Sequence, residues 1–240
     1  MTLRPRAVLF DCDGVLVNSE ELGFESDHDY IAQYGLHYTR EQYVEMSSGI
    51  TYEEFIAKLD ADHHKVHGRG LPDDFEEKLQ KRYQDMMEKG LRQIPEVAKL
   101  IRALQAAKIP YAICTNASLP GTLWKLEHVG LRKYFNQHVY SKDMVPRPKP
   151  FPDVYLHGAK QLGFDPRDCF VVEDSVTGVK AGVAAGATVI GYTGGAHRSA
   201  DYDKQLKAAG AAFTTNSMNV AGTFILNRSR TYRQQFGPQY

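Results

Sequence analysis

A short apolar run, Ala7 to Phe10, breaks at Asp11 into the acidic, glycine-containing turn DCDGV, a pattern that predicts a buried strand ending in a charged loop. From Ser19 to about Gly90 helix signals take over. Thr39 is followed three places on by Gln42, and Thr51 by Glu54, the spacing at which a hydroxyl and a longer side chain satisfy each other's free backbone N–H groups. Phe55, Ile56 and Leu59 then share one helical face. Pro72, Asp73 and Asp74 open a further helix, along which Phe75, Leu79, Tyr83, Met86 and Met87 recur at helical spacing until Gly90.

After Gly90 the pattern alternates. Apolar strands are expected near Tyr111–Cys114, His138–Tyr140, Cys169–Val172 and Thr188–Gly191, separated by amphipathic stretches of helix length. That alternation predicts an α/β fold, a doubly wound parallel sheet with helices on both faces. The first strand has no partner nearby in sequence and is expected to join this later sheet, which makes the intervening helical block an insertion. The expected organisation is core over 1–18, an all-helical cap over 19–92, core again over 93–227, and a flexible, basic, solvated tail over 228–240.

Composition sharpens this in few respects. At roughly 150 residues per domain, 240 residues make about one and a half domains, as a core carrying a cap would. Lysine plus arginine and aspartate plus glutamate both number 29, so no net field favours nucleic acid or an anionic membrane, and neither is expected as a partner. No apolar run approaches the roughly 20 residues of a membrane span. The apolar stretch after Arg4 and Arg6 is too short for a signal segment, and a cytoplasmic location is expected. Cys12, Cys114 and Cys169 have no CxxC spacing and read as buried free thiols.

In open parallel sheets, ligands bind beyond the carboxyl ends of the strands. The first strand delivers Asp11 and Asp13, two carboxylates at i and i+2 that suit a shared cation or a nucleophile with an acid/base partner. The strand at 111–114 delivers Thr115 and Asn116. Lys149 lies in the proline-stiffened segment PKPFPD, and the strand at 169–172 ends in Glu173 and Asp174. Carboxylates, one hydroxyl and one lysine suit phosphoryl transfer: the carboxylates would hold a hard divalent ion, Mg²⁺, and Lys149 would offset phosphate charge. An ordinary aspartate is ionised at neutral pH and needs no activating base to act as a nucleophile.

The ordered set DCDGV at 11–15, TN at 115–116, KPFPD at 149–153 and EDSVTG at 173–178 resembles the haloacid dehalogenase superfamily of phosphatases, with its Rossmann-like core, over nearly the whole chain. The helical insertion falls where that family carries its cap, and within the superfamily the chain resembles the subgroup that includes β-phosphoglucomutase and sugar-phosphate phosphatases. The resemblance implies that Asp11 attacks phosphorus and becomes an aspartyl phosphate, while Asp13 protonates the leaving alkoxide and then deprotonates the hydrolytic water. It implies that Thr115, the backbone of Asn116, and Lys149 bind phosphate oxygens. It implies Mg²⁺ held by Asp11, the Asp13 carbonyl and Asp174, with Glu173 acting directly or through water.

Dehalogenases of the family lack the second aspartate, so Asp13 argues against dehalogenation. The positions matching the mutases' proton-transfer histidine and phosphate-holding arginine are Gly23 and Tyr52, which favours hydrolysis over mutation. The expected substrate is a small phosphorylated metabolite, a sugar or sugar-acid phosphate. A phosphosugar mutase is the alternative, and a non-catalytic phospho-accepting module a further one. Ser47 and Gly49 are candidates for a cap loop that reaches the substrate. His63, His64 and His67 read as a solvated histidine-rich helix end rather than a metal site, and Tyr43, Tyr52 and Phe55 as cap core. Oligomeric state is not legible.

Overall fold

A computed structural model describes residues 7–47, 50–195 and 201–236, with the backbone alone at 44 and 230–236. The chain begins with β1 (Ala7–Phe10) and leaves the sheet for four helices, α1 (Ser19–Ala32), α2 (Arg40–Ser47), α3 (Tyr52–His67) and α4 (Phe75–Gly90). It returns through α5 (Val97–Ala106), β2 (Tyr111–Thr115), α6 (Leu119–His128), α7 (Arg132–Phe135), β3 (Val139–Ser141) and α8 (Asp153–Leu162). β4 (Cys169–Glu173), α9 (Val176–Ala184), β5 (Thr188–Tyr192), α10 (Tyr202–Ala208), β6 (Phe213–Thr215) and α11 (Met218–Phe236) complete it.

Among the described residues the sheet has the order β3-β2-β1-β4-β5-β6, every neighbouring pair parallel. β1 sits centrally although it comes first in the chain, hydrogen-bonded to β2 and β4. A central parallel strand is covered on both faces, which is why Ala7–Phe10 is apolar at every position and fully buried. Successive side chains then go to opposite faces. Val8 and Phe10 join a cluster with Leu100, Ile101, Leu126 and Ile225, while Ala7 and Leu9 join another with Val154, Tyr155, Val179 and Leu206.

The helical block has its own apolar centre, in which Tyr30, Ile31, Phe55, Leu59, Phe75 and Leu79 are buried together. Both expected capping boxes form. Gln42 N donates to Thr39 Oγ1 at 3.2 Å while Thr39 N donates to the Gln42 side chain at 2.8 Å, and Thr51 with Glu54 repeats the arrangement. The outgoing and returning chain lie side by side at the base of this block. Asn18 N donates to Arg92 O at 3.2 Å, and Arg92 N to Asn18 Oδ1 at 2.8 Å.

Two expectations change. A sixth strand, β6, pairs with β5 at the sheet edge; its FTT sequence is short and half-buried, so it carries almost no apolar signal. The tail expected to become flexible at 228 instead continues α11 through Phe236, and residues 237–240 lie outside the described residues. Once Ile225 is packed in the core, arginine and glutamine, both good helix formers, carry the helix on without apolar periodicity.

Candidate active site

The carboxyl ends of β1, β2 and β4 open into one cavity of about 560 Å³ beneath the helical block. Asp11 follows β1 directly, and its N–H donates to Val172 O at 3.0 Å, which ties the loop to the neighbouring strand. Gly14, at φ +76°, turns the chain immediately afterwards. A side chain there would put Cβ 2.0 Å from Asp174 Oδ2, so glycine is what lets the first loop close on Asp174.

Lys149 is buried and reaches back across the site. Its ammonium donates to Asp11 Oδ1 at 2.5 Å and to Glu173 Oε1 at 2.7 Å, and lies 4.9 Å from the centre of the Tyr155 ring. Burial works against the charge on Lys149, but the two carboxylates outweigh it and raise its pKa. Burial also pushes the Asp11 carboxyl well above the usual aspartate range, with Lys149 only partly offsetting it.

Glu173 is fully buried with both oxygens engaged. Oε1 accepts from Lys149 and from the Tyr155 hydroxyl at 2.7 Å; Oε2 accepts from Asp174 N, Ser175 N and Ser175 Oγ at 3.0–3.1 Å. That saturation makes Glu173 a fixed counter-charge that orients Lys149. Gly178 leaves it room, since a Cβ there would meet Oε1 at 1.7 Å. Asn116 has a comparable part. Its side-chain amide donates to Lys149 O at 3.2 Å and accepts from Lys149 N at 2.8 Å, clamping the lysine's backbone. Thr115 Oγ1 accepts from Ala117 N at 3.0 Å and keeps its own proton free to donate.

Asp13 stands apart from this group. Its Oδ1 accepts from Lys125 Nζ at 2.5 Å and from the Ser19 hydroxyl, so a lysine on α6 and a serine at the start of α1 hold one oxygen in place. Lys125 is nearly buried, and the attraction of Asp13 overcomes burial to raise its pKa. The sequence reading missed Lys125, Ser19 and Tyr155. One signal for Lys125 was present: Ser118, Thr122, Lys125 and Val129 share a helical face that starts at the end of β2.

The residues fit a hard divalent cation. Among the described residues Asp11, Glu173 and Asp174 form the group whose ligand oxygens lie within 4.8 Å of one another, all buried and all oxygen donors. Glu173 is committed to five donors, and Asp11 and Asp174 bring the other carboxylates of the group. The histidines form no such group: His63 and His67 donate ring N–H groups to the carbonyls of Arg69 and Tyr34, each at 2.9 Å, and His63 is buried rather than solvated.

On the cap side, Ser47 lines the cavity, although its hydroxyl donates to Tyr43 O at 2.7 Å. Gly49 lies outside the described residues. Tyr43 and Phe55 are buried in the cap as expected, while Tyr52 is 37% exposed and lines the cavity. Lys142 crosses from the core to donate to Glu53 at 2.8 Å. The three cysteines are buried and form no disulfide, and among the described residues no helix is long and apolar enough to cross a membrane.

Residues 8–192 match the haloacid dehalogenase-like hydrolase family. The chain is 32% identical over 189 residues to hexitol phosphatase A of Escherichia coli K12, covering 78% of this chain and 83% of that protein. It is 34% identical over 187 residues to a bifunctional riboflavin kinase/FMN phosphatase of Arabidopsis thaliana, covering 76% of this chain but only 47% of that larger protein. The crystal structure of a haloacid dehalogenase-family hydrolase from Deinococcus radiodurans, solved with bound phosphate and sodium, superposes with a TM-score of 0.77 at 36% identity, covering 93% of this chain and 96% of that one.

Proposed function

This chain belongs to the haloacid dehalogenase-like hydrolase family, and on that premise we propose that it is a Mg²⁺-dependent phosphatase of small phosphorylated metabolites that works through an aspartyl phosphate. The observation that carries the reading is the division of labour between two carboxylates two residues apart: Asp11 on Lys149 in the buried group, Asp13 on Lys125 and Ser19 outside it. A hexitol phosphatase and an FMN phosphatase among the relatives, and phosphate bound to the Deinococcus neighbour, support the same chemistry.

An Asp11 oxygen attacks phosphorus, and the ester P–O bond breaks as Asp13 gives its proton to the departing alkoxide. Asp13, now a carboxylate, takes a proton from water as the water oxygen bonds to phosphorus. The phosphorus–Asp11 bond then breaks and phosphate leaves. Holding Oδ1 of Asp13 through Lys125 and Ser19 leaves Oδ2 for these transfers. Lys149 and Thr115 draw charge from the phosphoryl oxygens, and Asn116 and Glu173 keep Lys149 where it can do so. Asp11, Asp174 and the Asp13 carbonyl would hold Mg²⁺, which when bound neutralises phosphate charge that otherwise repels the attacking carboxylate.

Transfer to a second sugar hydroxyl has less to support it. Gly23, the position that would need a proton-transfer histidine, lines the cavity with Tyr83 and Tyr43 beside it and supplies no titratable group. Steady-state release of phosphate from p-nitrophenyl phosphate with Mg²⁺ tests the assignment. Turnover lost in Asp11→Asn supports it; absence of turnover in the parent protein refutes it and revives a non-catalytic phospho-accepting module.

A further inference from the structure

We propose that the cap side of this cavity selects phosphate esters whose alcohol part presents hydrogen-bond donors and no second anionic group, with Asp27 as the principal determinant. The proposal rests on the phosphatase reading of the same site and narrows it, setting aside sugar-acid phosphates and bisphosphates.

Charge placement leads to this. The cap contributes the carboxylates of Glu20, Asp27 and Glu53 and the amides of Gln80 and Gln84 to the wall, and no lysine or arginine among the described residues. The cavity's lysines all come from the core, and each is held by a carboxylate: Lys125 by Asp13, Lys149 by Asp11 and Glu173, Lys142 by Glu53 at 2.8 Å. A carboxylate or second phosphate on the substrate, lying away from the reacting group, would meet like charge and no uncommitted cation.

Asp27 adds an independent observation. It is 4% exposed, on the cavity wall, with Oδ2 accepting from the Tyr43 hydroxyl at 2.7 Å. Its Oδ1 has no hydrogen-bond partner of ordinary geometry, nor has the hydroxyl of the adjacent Ser26, the nearest group in sequence that bears on the same carboxyl. A buried carboxylate oxygen without a donor is costly, and folded proteins rarely leave one so. Arg82, whose charge bears on Asp27, donates to the Ser26 carbonyl at 3.3 Å. Oδ1 has almost no accessible surface in the unliganded chain, so a substrate hydroxyl or ammonium completes the set as the wall around Ser26 and Asp27 yields to admit it.

The test uses the full chain with Mg²⁺ and matched substrates that differ in charge at the far end: sorbitol 6-phosphate against 6-phosphogluconate, and glycerol 3-phosphate against 3-phosphoglycerate. The expected kcat/KM favours the neutral member of each pair by at least about tenfold. Asp27→Asn is expected to reduce that ratio by at least about fivefold. If Asp27→Asn does not fold, Glu53→Gln decides; Glu53 is exposed, and the change frees Lys142 to accept an anion, so the ratio should again fall. Equal or faster turnover of the acids overturns the proposal, as does a ratio unmoved in the deciding variant. Turnover of p-nitrophenyl phosphate separates the two failures: with it present, only the selectivity is wrong; with it absent, the phosphatase reading falls and takes the proposal with it.

Discussion

Asp27→Asn should make the folded protein more resistant to heat at neutral pH than the parent, and progressively less so in acid. Burial raises the Asp27 carboxyl from 3.8 to about 6, the Tyr43 hydroxyl, the Ser26 hydroxyl and the Arg82 charge only partly opposing it. A carboxyl whose pKa is raised on folding binds its proton more tightly in the folded chain. The associated stability is fully present below about pH 4 and is lost as pH rises through about 6. A difference of about 2 pKa units, at 1.36 kcal/mol each, amounts to about 3 kcal/mol. Asparagine keeps the shape and the acceptor for Tyr43 and carries no charge, so it avoids the loss. At about 2–4 °C per kcal/mol for a chain of this size, the variant's Tm minus the parent's should grow by about 6–12 °C between pH 4 and pH 7.5. Thermal melts of both proteins across that range make the measurement, and other titrating groups cancel in the difference. A difference that stays flat with pH, or shrinks as pH rises, would refute the reasoning. Retention of a carboxylate that destabilises the fold at neutral pH is what a ligand-binding role leads one to expect.

Asp11→Asn should abolish phosphate release while leaving circular dichroism and Tm close to those of the parent, and residual steady turnover would remove Asp11 as nucleophile. Exchange of Asp13 for alanine should slow alkyl phosphates far more than p-nitrophenyl phosphate, whose leaving group needs no proton; equal losses on both would count against proton transfer by Asp13. Lys125→Met should lower kcat/KM on alkyl phosphates by at least about tenfold in a folded protein, since it removes one of the two donors holding Asp13. Unchanged kinetics would show that Lys125 serves only the fold. Exhaustive chelation should stop turnover and added Mg²⁺ restore it, whereas activity that survives chelation would exclude the metal-dependent reading.

Much of the site was legible because its residues sit at strand ends. Asp11, Thr115 and Glu173–Asp174 each directly follow or close an apolar run, and a parallel sheet brings such ends together. The division into core and helical insertion was legible too, since capping boxes and glycine stops are local. The resemblance put the backbone of Asn116 at the phosphate and Glu173 at the metal, directly or through water; that the side chains of both also fix Lys149 was visible in no local pattern. Lys125, Tyr155 and Asp27 gave no motif, because each acts through a partner far along the chain or in another layer. β6 was too short and too polar to register, and α11 ran past the point where its apolar pattern ends.

Periodicity, caps and turn residues depend on neighbours within a few positions, so the chain alone determined most of the strand and helix segments, that β1 needs distant partners, and that carboxylates gather at the carboxyl ends of the strands. Which charge meets which was decided only by the fold. Lys149 reaches Asp11 across 138 residues and Lys125 reaches Asp13 across 112, so each of two carboxylates two residues apart is held by its own lysine. An ion pair acts over a few ångströms and is blind to sequence separation. Burial, which raises the pKa of Asp11 and leaves Asp27 Oδ1 without a donor, is likewise a property of the packed interior and of no segment by itself.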